Sequence, residues 1–189
     1  LVNEIEDENE ILREEVKFLA VSIISGEEKS ENVEVKYEEA LVPNELNIEE
    51  NVLQEVIESI DYLNISKDFT VNLCLSNDTN VHKLNLEFRG FDKPTNVLSF
   101  ANIDGEDFDD MLEFEDVVEM GDIIIAFETM KKEAMEQEVS FQDHFCHLWA
   151  HGLLHILGYD HIEEDERLEM EQIEISVLNK LGIKNAYQE

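Results

Sequence analysis

The feature that most restricts this chain lies near its C-terminal end, where residues 151–161 read His-Gly-Leu-Leu-His-Ile-Leu-Gly-Tyr-Asp-His. Residues four apart on a helix stack on one face, so His151 and His155 project side by side, with imidazoles close enough to share an ion. Gly158 follows three residues later, where a glycine takes positive φ and turns the chain back. That turn carries His161 round to a third coordination position. Three neutral imidazoles with an open fourth position describe a catalytic zinc site rather than the closed tetrahedron of a structural one. By ligand type the same set also suits Ni, Co or Fe.

Ser140, with Asp143 three residues on, opens the helix that runs into this stretch. At 100° per residue, His144, His147, His151 and His155 fall within about an 80° sector. A catalytic zinc rarely needs more than three protein ligands, so His144 and His147 are expected as supporting or core groups. Asp160 either orients a ligating histidine or caps the turn. In zinc peptidases of the HExxHxxGxxH type, the residue after the first histidine is the glutamate that activates water. Here that residue is Gly152. The ligand pattern is present without the base, and a peptidase reading loses its mechanism.

The chain has 189 residues, enough for one well-cored domain and an appendage. Its two cysteines, Cys74 and Cys146, are too far apart in sequence for a CxxC site and are expected to be reduced, buried thiols of a cytoplasmic protein. The apolar run Phe18 to Ile24 is far shorter than the roughly 20 residues a bilayer crossing needs. Neither a signal peptide nor a membrane span is expected. The net charge of −34 repels polyanions at long range and argues against a broad electrostatic nucleic-acid footprint. It leaves room for a local site built from a metal ion and one or two basic side chains.

Residues 1–32 carry ten acids against three bases and read as an acidic N-terminal extension. Ile5, Ile11, Leu12, Val16, Leu19 and Ile23 recur at helical spacing, which predicts a short amphipathic helix there. Val33 to Tyr37 alternates as an edge strand would. Ile48, Val52, Val56 and Ile60 mark a helix with one buried face. Strands are predicted at Phe69–Leu75, Asn96–Phe100 and Gly121–Ala126, and helices at Val81–Phe88, Glu128–Glu138 and Glu163–Leu181. The acid-rich stretch from Ala101 to Met120 is expected as a solvated loop. These elements predict an α+β fold: a small mixed sheet of about four strands packed by about five helices, with the three-histidine site at the end of a central helix.

Three blocks then resemble one family. Residues 151–161 are similar to the HGxLHLxGYDH signature of the YbeY endoribonucleases. Asn85 to Phe100 resembles that family's NxxYRxxDxPTDVLSF stretch, and Met120 to Ile125 its LGDIVI strand. The resemblance spans about residues 33–185 and implies a metal-dependent hydrolase domain there. Position by position it implies His151, His155 and His161 as zinc ligands and Arg89 as the functional arginine beside the metal. An always-charged, forked guanidinium independently suits a phosphodiester. Phe88 stands where the family pattern has Tyr, and Asn96 where it has Asp.

What the resemblance implies is a zinc-dependent, single-strand-specific endoribonuclease of rRNA maturation at the 16S 3′ end and of ribosome quality control. Its partners would be single-stranded rRNA, the small ribosomal subunit and assembly factors, with no membrane and no DNA. Two other readings stay open at this stage: another zinc hydrolase, or a non-catalytic ribosome assembly factor.

Overall fold

The computed structural model describes residues 17–23, 33–37, 52, 55–56, 59–60, 68–103, 105 and 108–184. The expected helical residues from Ile5 to Val16, and the ends of the helix expected over 48–62, lie outside them. The fold is α+β, as the pattern predicts. Strands β1 (Lys17–Ile23), β2 (Val33–Tyr37), β3 (Asp68–Ser76), β4 (Val97–Ala101) and β5 (Val117–Ala126) form one sheet in the order β2-β1-β3-β5-β4. β3 and β5 are parallel, and every other pairing is antiparallel. Among the described residues, the helices with assigned bounds are α1 (Asp78–Arg89), α2 (Phe108–Phe114), α3 (Phe127–Glu136), α4 (Phe141–Ile156) and α5 (Glu164–Lys180), and residues 52, 55, 56 and 59 are also helical. None of the described helices is long and apolar enough to cross a membrane.

Alternation sorts the sheet into two faces. Phe69, Val71 and Leu73 of β3 with Ile123 and Ile125 of β5 join the large core, while Cys74, Ile124 and Ala126 join a small second one. Strands buried on both faces read as continuous apolar runs, which explains Ile123-Ile124-Ile125-Ala126. The large core contains most of α4, including Phe145, Trp149, Leu153, Leu154 and Ile156. Burying such side chains contributes about 1.5–3 kcal/mol each, which makes α4 the central helix. The small core seats Val81 and Leu84 of α1 against the opposite face. Val52, Val56 and Ile60, three of the four residues of the stripe expected over 48–60, are buried in the large core.

Two expectations are corrected. Residues 17–23 form β1 and not the end of the helix expected there, which brings the expected sheet of about four strands to five among the described residues. In Leu19, Val21 and Ile23 the apolar residues also alternate with period two, so this short run satisfies both periods. Antiparallel pairing of β1 with both β2 and β3 decides between them. The stretch 101–120, expected as a solvated loop, holds α2 and the first residues of β5. Phe108, Val118 and Met120 are buried and anchor it despite its acids.

Candidate metal centre

Helix α4 begins where expected: the Ser140 hydroxyl accepts the Asp143 N–H at 3.0 Å. It ends in a left-handed turn. The Gly158 N–H reaches the His155 carbonyl and the Tyr159 N–H reaches the Leu154 carbonyl, each at 3.0 Å. Gly158 has φ of 88°, a conformation that costs side-chain-bearing residues roughly 1–2 kcal/mol. This reversal returns His161 to the helix. The ring centroids of His151, His155 and His161 lie 4.7, 5.0 and 5.5 Å apart, and one nitrogen from each falls within a mutual 4.8 Å. The spacing predicts these three histidines at one point, and the fold brings them there.

The donor chemistry fits a cation. His151 Nδ1 donates to Glu174 Oε1 at 2.6 Å, and His155 Nδ1 donates to the Tyr159 carbonyl at 3.0 Å. With both Nδ1 atoms carrying protons, neutral rings present lone pairs at Nε2. The two Nε2 atoms stand 3.2 Å apart. Two lone pairs that close repel unless a positive centre sits between them. Burial first, then the neighbouring His151 and His161, push His155 down to about 4, so its imidazole is neutral at pH 7 and able to ligate.

Glu174 is the residue that motif reading does not reveal. It comes from α5, is 1% exposed, and places its second oxygen 3.4 Å from His147 Nε2. A carboxylate behind a ligating imidazole fixes its tautomer and raises its basicity. A signal exists: Glu174 lies four residues from both Met170 and Leu178, so it is an acid within a buried apolar stripe. His147 thus supports the site indirectly. Buried His144 instead pairs with Glu133 of α3 at 2.8 Å, and the same oxygen accepts from Asn96 Nδ2 at 2.9 Å. Neither His144 nor His147 belongs to the cluster. Asp160 caps the turn, accepting the His161 N–H at 2.7 Å.

Gly152 has a structural reason. A Cβ there would stand 2.8 Å from Ile123 Cγ2 and 3.2 Å from Ser99 Oγ, inside van der Waals contact with the sheet. A glutamate in this position would be driven into the sheet, so the peptidase base has no room. Arg89 is the last residue of α1, which packs on the face of the sheet opposite α4; its side chain is exposed, with the guanidinium 5.9 Å from the Phe91 ring centroid.

Comparison with known proteins follows the same residues. The profile of the family described as Endoribonuclease YbeY matches residues 32–182. The Endoribonuclease YbeY of Colwellia psychrerythraea is 45% identical over 127 residues, covering 66% of this chain and 76% of the relative. Its namesake in Paramagnetospirillum magneticum is 45% identical over 124 residues, 63% of this chain and 71% of the relative. That of Acinetobacter baumannii is 41% identical over 147 residues, 77% of this chain and 91% of the relative. The matched span takes in the histidine turn, the Glu174 that braces it and the Arg89 loop, and with it this chain belongs to the Endoribonuclease YbeY family.

Proposed function

We propose that this protein is a zinc-dependent endoribonuclease that cuts single-stranded RNA during rRNA maturation, at the 3′ end of 16S rRNA, and acts in quality control of the small ribosomal subunit in the cytoplasm. The observation that carries this reading is the convergence of His151 and His155 Nε2 lone pairs, with His161 beside them, at one mouth of an otherwise buried helix. His151, His155 and His161 would hold the ion, which when bound supplies Lewis acidity toward a phosphodiester. Glu174 and the Tyr159 carbonyl keep the protons on the far nitrogens of His151 and His155. Arg89 is assigned to the phosphate, where its exposed guanidinium would offset negative charge on the bound RNA. The histidine motif contains no protein base, and Gly152 sits too close to the sheet to be replaced by one.

The test combines elemental analysis of the purified protein with cleavage of single-stranded rRNA fragments. Zinc at one equivalent and loss of cleavage in His151→Ala and Arg89→Glu support the reading. Equal cleavage by all three proteins, or stable co-sedimentation with small subunits but no cleavage by wild type, overturns it.

A further inference from the structure

The face that carries Arg89 holds side chains that the histidine site leaves unused. Leu86, Phe88 and Phe91 are 47%, 62% and 51% exposed within six consecutive residues. Isolated exposed apolar groups are ordinary, but two phenyl rings three residues apart form a concentrated patch. Cations lie over the Phe91 ring, Arg89 Cζ at 5.9 Å and Lys93 Nζ at 5.5 Å from its centroid, so a base that stacks on this ring displaces a cation toward its own phosphate. Lys83, Arg89 and Lys93 supply three of the thirteen basic residues of a chain whose net charge is −34. Two acids, Glu87 and Asp92, lie among them, and Asp92 is turned to His82 at 2.8 Å. Three cations against two acids leave the patch with a small net positive charge on an acidic molecule.

Its shape is held. Buried Asn85 donates from Nδ2 to the Lys93 carbonyl at 2.8 Å, and the Phe91 N–H returns to the Asn85 carbonyl at 3.2 Å. Phe88 packs edge-on against Phe100 of β4, with centroids 5.3 Å apart. The ligand that uses both aromatic faces and fixed cations is an unpaired nucleobase with its phosphodiester. Stacking serves any base, and the cations take the backbone.

We propose that Phe88 and Phe91, flanked by Arg89 and Lys93, form a stacking platform for the unpaired bases of single-stranded RNA. The proposal rests on the endoribonuclease reading and adds to it the means of choosing single strands. Paired bases keep their faces inside the duplex and cannot stack on a phenyl ring. The placement suits one continuous strand. Ser99 of β4 lies against Gly152, beside His151, while the next residue, Phe100, meets Phe88 on the other face. β4 is the outermost strand, so RNA passing round its edge reaches both the platform and the histidines.

The test uses the full chain with metal chelated and a short single-stranded RNA carrying 2-aminopurine, whose fluorescence falls on stacking. Wild type binds and quenches. Phe91→Ala binds about tenfold more weakly and loses the quench, as removal of one stacking partner requires. Phe91→Tyr keeps both, and a duplex of the same sequence does not compete. Lys93→Ala reduces the salt slope of binding by about one. Undiminished binding and quench in Phe88→Ala and Phe91→Ala overturn the platform, while their cleavage of RNA once metal is restored leaves the nuclease reading standing. Phe91-dependent association with ribosomal protein but not RNA also overturns it. A wild type that neither binds nor cuts RNA overturns both.

Discussion

The two faces of the sheet are built to different standards. Under α4 and α5 the histidines are braced by a buried carboxylate, a carbonyl and a tight turn. Across the sheet, α1 covers a small core of Cys74, Val81, Leu98, Ile124 and Ala126, and its Arg89 loop stands in water. The difference fits what each side is proposed to handle. An ion is selected by nitrogen positions within fractions of an ångström, so its ligands need packed support. A polymer backbone is met by long, exposed side chains that adapt to it.

The comparison breaks first at Gly152. Gly152→Glu combines overpacking against Ile123 with a buried charge, and should cost about 3 kcal/mol or more. Urea unfolding measures it. A fully stable Gly152→Glu would mean that α4 can lift from the sheet, and the precision claimed for this face would fail. Next comes Glu174→Ala, expected to weaken metal binding by about 10–100-fold, with Glu174→Gln losing less because it still accepts from His151. Metal titration of the purified variants checks this. Unchanged affinity in both would make Glu174 a packing residue only.

A matched pair of glycines sharpens the contrast. Gly90 and Gly158 both end helices at positive φ, 71° and 88°, one on each face. Replacement by Ala strains the backbone alike, and each should lose roughly 1–2 kcal/mol in thermal or urea unfolding. Only Gly158→Ala should also lower metal affinity, since only its turn carries His161. An equal loss of affinity in Gly90→Ala would show that the two faces are coupled through the sheet.

Legibility in the sequence divides along the same line. His151, His155, Gly158 and His161 could be read because their geometry is local: one helix turn and one glycine bring them together. Glu174 offered only its place in an apolar stripe, because its contact with His151 spans 23 residues and it is one of 47 acids. Strand β1 escaped because its apolar residues satisfy helical and strand periods at once, and pairing with β3 settles which is adopted. In α2 the acids obscured Phe108 and Met111, whose helical spacing places both against the large core. Arg89 was legible as a functional candidate from its motif, whereas the seating of α1 on the second core depends on packing that no local pattern encodes.

The smallest effect concerns two histidine–carboxylate pairs of equal length. His82–Asp92 and His144–Glu133 both measure 2.8 Å. Side-chain exposure is 38% and 77% in the first pair and 3% and 28% in the second. In water, solvent screens the attraction and immobilising two side chains offsets it, so His82→Ala should change stability by at most about 1 kcal/mol. That small change should shrink further as salt is raised. His144→Ala should cost more, since it takes from Glu133 its buried histidine partner and leaves a gap where the ring, 3% exposed, was packed. Parallel urea melts at low and high salt decide it: equal losses for the two substitutions would mean that burial does not separate the faces, and that distance alone sets what such a pair is worth.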